Sequence, residues 1–146
     1  MQLKLGLLDY SKPWTLPDVY LFTGNPIKKK NGAIVMGRGA AKQVRDSYPG
    51  IDVVMGRMIK PNMPLAWASV TNHQFIGWFQ VKHHWRAEAD VGLIERSAHA
   101  LAEVAEKRPE ITFHLNFPGV GNGGLGADQV LPIIENALPD NVLVYK

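Results

Sequence analysis

Hydrophobic and polar positions along this chain switch between a period of two residues and one of 3.6, and the switches mark out a succession of strands and helices. Runs rich in strand formers at Leu3 to Leu8 and Val19 to Thr23 predict two strands, separated by a proline-containing connection from Ser11 to Pro17. After Gly39 the period changes, and Ala40, Ala41, Val44 and Tyr48 fall on one face of a helix that Pro49-Gly50 stops. Leu65 to Thr71 and Phe75 to Val81 predict strands around a turn at Asn72-His73. The best helical stripe, Val91, Ile94, Ala98, Leu101 and Ala105, covers about Asp90 to Lys107. A strand at Ile111 to Leu115, a helix from about Asp128 to Leu138 and a last strand at Val142 to Tyr145 complete the order, with Pro132 expected in the first turn of its helix. This order predicts an α/β fold, a three-layer α/β/α sandwich with a mixed central sheet. No repeat or linker interrupts it, so residues 1–146 read as a single domain.

Composition supports that reading. A chain of 146 residues, 46% hydrophobic, can bury a real core, and four Trp with 20% charged residues argue against disorder. No apolar run reaches the roughly 18 residues that cross a bilayer, and Met1 to Tyr10 is too short and interrupted for a secretory h-region. The expectation is a cytoplasmic protein without a membrane partner. The absence of cysteine removes disulfides, thiolate nucleophiles and cysteine-zinc sites. A formal net charge of +3 favours an anionic partner only mildly.

Candidate chemistry gathers where the periodicity breaks. Phe117 to Gly126 places five of the chain's 14 glycines in ten residues, directly after a strand and before a helix. Glycines this dense admit positive φ and leave main-chain N–H groups free to turn toward an anion. Strand-to-helix loops are where α/β proteins hold phosphates. A second such turn, Met36-Gly37-Arg38-Gly39-Ala40-Ala41, precedes the first predicted helix, whose N-terminus carries about half a positive charge. Two such loops can grip a diphosphate from both sides. Neither closes with the Gly-Lys-Ser/Thr of a Walker loop, and neither fits the dinucleotide fingerprint. The run Lys28-Lys29-Lys30 has two readings, a solvated loop or a source of positive field near a phosphate.

In their order and spacing, Thr23-Gly24-Asn25-Pro26, Asn31-Gly32 with Met36 to Ala41, and Phe117 to Leu125 resemble the macro domain, a family that binds ADP-ribose. The pattern is most similar to the branch that holds the terminal ADP-ribose protein glycohydrolase and bacterial and phage relatives, and it covers essentially the whole chain. The resemblance assigns Met36, Gly37, Arg38, Gly39 and Ala40 to one side of the diphosphate. Gly119, Val120, Gly121, Asn122, Gly123 and Gly124 fall on the other. It places Asn25 near the distal ribose, and it matches Asp9, at the end of the first strand, to the acid that accepts from the adenine amino group. Read from residues alone, Asp9 can also cap a turn, and Asn25, before Pro26, serves equally as an Asx-turn.

The resemblance also matches Lys82 to the lysine that attacks the anomeric carbon of the distal ribose. An amine does this only when unprotonated, which takes desolvation or neighbouring positive charge, and His83, His84 and Arg86 stand near enough in sequence to supply the charge. Without the resemblance the same cluster is a wet basic strand end. Two departures stand out. The branch has an aspartate in its glycine loop, where this chain has Gly123-Gly124-Leu125 and no acid until Asp128, which reads as a helix cap. The paired asparagines of the hydrolytic macro domains are reduced here to Asn25, behind Gly24.

Other catalytic readings lack spacing. The five histidines form no zinc pattern, His99 and His114 read as structural, and no Gly-x-Ser-x-Gly elbow exists. Trp67, Trp78, Phe79 and Trp85 read as core and edge packing. The leading expectation is therefore a domain that binds ADP-ribose and hydrolyses an ADP-ribose derivative, freeing it from a macromolecule or removing a terminal phosphate. Lys82 and Asn25 are its catalytic residues, and neither metal nor cofactor is expected. A non-catalytic ADP-ribose reader is the alternative, favoured by the missing aspartate. A nucleic-acid-binding domain is a third, and nucleic acid otherwise enters only as an ADP-ribosylated substrate or a weak binder.

Overall fold

The computed structural model describes residues 1–146 except Pro13 and Asn72. In chain order the elements are β1 (Gln2–Lys4), β2 (Asp18–Gly24), α1 (Gly39–Ser47), α2 (Ile51–Met58), β3 (Leu65–Thr71), β4 (Gln74–Gln80), α3 (Val91–Lys107), β5 (Thr112–Asn116), a 3-10 turn (Gly121–Gly123), α4 (Ala127–Ala137) and β6 (Val142–Tyr145). The strands form one six-stranded sheet in the order β1-β6-β5-β2-β4-β3. Every pairing is parallel except β3 with β4. A short connection suffices between antiparallel neighbours, whereas each parallel pair needs a crossover, which the helices supply. Part of the turn expected at Asn72-His73 lies outside the described residues.

The two-residue period of the strands divides the core into two layers. Val19 and Leu21 of β2 face the same layer as Leu115 and Val144, where Ile94, Ala98 and Leu101 of α3 and Val130 and Ile134 of α4 cover them. Phe22, Ile76 and Trp78 point the other way, under Val44 of α1 and Ile51 and Met55 of α2. Helices on both faces of a mixed sheet make the expected three-layer sandwich.

Several local expectations need correction. The first strand spans three residues, not Leu3 to Leu8, and ends well before Asp9. Gly6 turns the chain at φ +102°, leaving Leu5 and Leu7 93% and 85% exposed, so their apolar character does not report strand burial. Pro49-Gly50 stops α1 but does not open a loop: Gly50, at φ +91°, is the N-cap of α2, which the sequence reading missed. Asp128 is not the cap of α4. Gly126 holds that position, the Gln129 side chain accepts from its N–H at 2.9 Å, and Asp128 lies in the first turn. Pro132 consequently sits in the second turn, where its missing N–H leaves the Asp128 carbonyl without its helical donor. The start of α3 matches expectation, with the Asp90 carboxylate accepting from Leu93 N–H at 3.2 Å.

Candidate functional site

The sheet order creates the site. β2 is flanked by β5 and β4, and the chain leaves β2 toward one edge while α3 carries it from β4 back across to β5. At such a switch point the connections diverge and open a crevice beyond the carboxyl ends of the strands. Here the crevice is a cleft of about 610 Å³. Its floor comes from Thr23 and Gly24 at the end of β2 and Asn25 after it, Val81 and Lys82 after β4, and Asn116 ending β5. One wall is Gly37, Arg38, Gly39, Ala40 and Ala41; the other is Gly119, Val120, Asn122 and Gly123. A smaller cavity of about 270 Å³ adjoins it, bounded by Leu7, Leu8, Tyr10, Gln43, Gly121, Phe117 and Tyr145.

Both walls are built to present main chain. No side chain caps α1, so the first-turn N–H groups at Gly39 and Ala40 are left for a ligand. In the opposite wall, positive φ at Gly119 (+81°), Gly121 (+66°) and Gly124 (+76°) folds the loop into the 3-10 turn, a path that side chains with a Cβ resist. A Cβ on Gly119 would stand 2.6 Å from Ile94 Cδ1, so α3 packs directly against that wall. Ala89 N–H donates to the Gly123 carbonyl at 2.8 Å and ties the loop to the segment after Lys82.

Lys82 follows β4 by two residues, slightly beyond the strand end expected for it. It is half-buried, and its Nζ donates to the Asn122 carbonyl of the glycine loop at 2.9 Å. Burial first, and the Arg38 guanidinium second, lower its pKa from the usual 10.5. The expected source of that charge was wrong. His83 instead faces Asp90 at 3.3 Å, and Arg86 lies 4.7 Å over the Trp85 ring.

Asn25 is 7% exposed, and its Oδ1 accepts from Ile27 N–H at 3.0 Å, an Asx-turn that holds the side chain at the floor of the cleft. Among the described residues its Nδ2 donates to nothing, and that atom is not sealed from the cleft. Gly24 is required by packing, because a Cβ there would come within 2.5 Å of Trp78 Nε1 in the core. That contact leaves no room for an asparagine side chain at position 24.

Other predicted residues lie elsewhere. Met36 is 1% exposed and packs in the core beneath α1 and α2. Gly121 lines the smaller cavity, while Gly124 sits beside Glu88 and lines neither. Asp9 is exposed, between the cavity-lining Leu8 and Tyr10, with its Oδ1 accepting from Ser11 N–H at 2.9 Å and Ser11 Oγ at 2.5 Å. His114 is structural, bonded to Tyr145 and Asp18, whereas His99 lies on the exposed face of α3 near Glu95.

Further lining residues lie outside the predicted site set. Lys28 and Lys29 are exposed and line the cleft, so the solvated loop expected of that run also stands where its positive field reaches the cleft. Trp85 lines it too, 39% exposed with His84 stacked on its ring, so of the core and edge packing expected for it only the edge applies. Asn116 braces the floor: its Oδ1 accepts from Tyr10 Oη at 3.0 Å and Thr23 N–H at 3.1 Å, and its Nδ2 donates to Thr23 Oγ1 at 2.9 Å. Its only sequence signal is an Asn closing a strand just before Phe117-Pro118-Gly119.

No protein-family model matches the chain, and no curated protein matches it. Solved structures do. A DarTG protein of Thermosipho africanus in complex with ADP-ribose is 20% identical with a TM-score of 0.70 over 87% of this chain and 37% of that one. The macrodomain of Mycobacterium tuberculosis DarG is 22% identical with a TM-score of 0.67, over 99% of this chain and 97% of that one. The macrodomain of Thermus aquaticus DarG is 22% identical with a TM-score of 0.71, over 99% and 96%. Among the described residues no helix is long and apolar enough to cross a membrane. With this strand order, these helical layers and these matches, the chain has the macrodomain fold.

Proposed function

We propose that this macrodomain binds ADP-ribose across the two adjoining cavities and releases it from an acceptor through Lys82. The observation that carries the proposal is the placement of Lys82: its amine opens into the same cleft as both main-chain walls, half-buried and with a lowered pKa. The diphosphate sits between Gly37 to Ala40 and Gly119 to Gly123, and the base occupies the smaller cavity beside Asp9. Asn25 Nδ2 orients the distal ribose. Neutral Lys82 then attacks the anomeric carbon, forming a C–N bond as the bond to the acceptor breaks with its electron pair on the acceptor. The proton lost by nitrogen passes to the acceptor. Ring opening gives a Schiff base, and water hydrolyses it to ADP-ribose and the free amine.

Lys28 and Lys29 with Trp85 at the mouth favour an anionic acceptor that carries a ring, an ADP-ribosylated nucleic acid. Calorimetry with ADP-ribose, followed by incubation with ADP-ribosylated oligonucleotide, ADP-ribosylated peptide and ADP-ribose 1″-phosphate, tests this reading. Lys82→Ala is expected to abolish release while keeping ADP-ribose affinity within about threefold. Tight binding with no release from any substrate makes the domain a reader. Binding to plain oligonucleotide without any heat from ADP-ribose overturns the proposal.

A further inference from the structure

Lys82 stands just outside the sheet, so the strand ladder does not fix its direction. The last paired residue of β4 is Gln80, opposite Gly24 of β2. Beyond it, Val81 N–H donates to the Gly24 carbonyl at 3.0 Å, and the Val81 carbonyl accepts from Asp90 N–H at 2.8 Å. The planar Val81–Lys82 peptide is thereby held, and the first free rotation of Lys82 is about its own N–Cα bond. That rotation swings the Lys82 carbonyl and the Lys82 side chain together. Gln80 stops it. Its Nε2 donates to the Lys82 carbonyl at 3.2 Å, and among the described residues no other group donates there.

Gln80 is itself held fast. It is fully buried, its N–H donates to the Pro64 carbonyl at 3.0 Å, and its own carbonyl accepts from the buried Ser97 Oγ of α3 at 2.8 Å. A buried amide destabilises a fold unless its polar atoms are paired. Here the pairing is one-sided, because no group among the described residues donates to Gln80 Oε1. The buried neighbours along the strand are Trp78, Phe79 and Val81, and an apolar side chain in this row would spare the core that oxygen. We propose that Gln80 is a positioning residue, its buried amide fixing the direction in which Lys82 leaves the sheet and so delivering the amine to the cleft. It acts only through Lys82, since it lines neither cavity. The inference rests on the reading of Lys82 as the reacting group.

The test is Gln80→Met, which keeps an unbranched side chain of similar length and removes the donor. The variant is expected to melt within about 2 °C of the unaltered protein or above it, since the unpaired oxygen leaves with the donor. In the empty protein its Lys82 NMR titration midpoint should move up toward 10.5, because a side chain free to swing outward escapes the burial and the Arg38 guanidinium that lower it. For release of ADP-ribose, kcat should fall about tenfold while KM and ADP-ribose affinity stay within about twofold, the pattern of a group misplaced only for the transition state. A merely structural amide gives another pattern. A variant that does not fold or melts well below the unaltered protein, one whose Lys82 midpoint stays in place, or one that keeps its kcat overturns the proposal. If the unaltered protein releases ADP-ribose from no substrate, the reading of Lys82 as nucleophile fails by itself, and the melting and titration midpoints still decide whether Gln80 positions the amine.

Discussion

In the proposed role Lys82 must meet two opposed conditions, since a nucleophilic amine has to be neutral and an ammonium beside a bound phosphate is favoured by that anion. In the empty cleft burial and the Arg38 guanidinium both work against the charged form. Removing that guanidinium should therefore raise the lysine's pKa toward its usual 10.5. Arg38→Gln is expected to move the Lys82 NMR titration midpoint upward, and the ascending limb of any pH–rate profile with it, so that less neutral amine remains at pH 7. The linkage has a definite sign. Between the lowered folded value and the unfolded one, the unfolded chain binds more protons at this site, so stability rises with pH across that window. Arg38→Gln should flatten the rise. An unmoved titration midpoint would leave burial as the whole cause. The influence of Arg38 on Lys82 was not legible in the sequence, because it acts across the cleft, while the neighbours His83 and Arg86 turn to Asp90 and Trp85 instead. Asn116 escaped for the same reason, its partners Tyr10 and Thr23 being brought to it only by the sheet.

Elements were legible where one physical signal acted alone. The stripe of α3 and the alternation of β2, β4 and β5 report burial directly, and the glycine loops report a main-chain path that few other residues allow. Legibility failed where a breaker did something other than break. Gly50 ends one helix and begins the next, so α2 was invisible, and with it the support of the loop that carries Lys28 and Lys29. That loop is held by Ile34 N–H donating to the Asp52 carbonyl at 3.0 Å and by the contact of Gly56 with Gly32. A Cβ on Gly56 would come within 1.8 Å of the Gly32 carbonyl oxygen, a main-chain atom that cannot rotate away. Gly56→Ala is expected to push α2 from the loop and cost about 1–3 kcal/mol. Thermal unfolding should show this as a midpoint lowered by about 3–10 °C. Gly37→Ala, with nothing within 4 Å of the added carbon, should leave the midpoint unchanged. Equal melting of the two variants would mean that the loop does not depend on α2.

For the whole molecule, net charge says less than its distribution. Sixteen basic against 13 acidic residues leave only +3, yet Lys28, Lys29, Arg38 and Lys82 all line one cleft and no carboxylate lines it with them. The positive field is thus concentrated at the carboxyl ends of the central strands, where the two main-chain walls also present N–H groups. Within that field the four cations are not equivalent. Arg38 and Lys82 lie beside the two main-chain walls, whereas Lys28 and Lys29 stand earlier on the loop between β2 and α1, which the proposed function gives to the acceptor. Free ADP-ribose should engage the first pair, and a nucleic-acid acceptor should engage the second as well. Raising salt is therefore expected to weaken binding of an ADP-ribosylated oligonucleotide more steeply than binding of ADP-ribose. The double variant Lys28→Gln/Lys29→Gln should lower the slope of log affinity against log salt by about 1.4 for the oligonucleotide, two phosphate contacts at about 0.7 each. Its ADP-ribose slope should stay close to that of the unaltered protein. The measurement is a salt series of calorimetric or anisotropy titrations with both ligands. An oligonucleotide slope that the double variant leaves unchanged would remove the lysines from the acceptor path, and with them the charge argument for a nucleic-acid substrate.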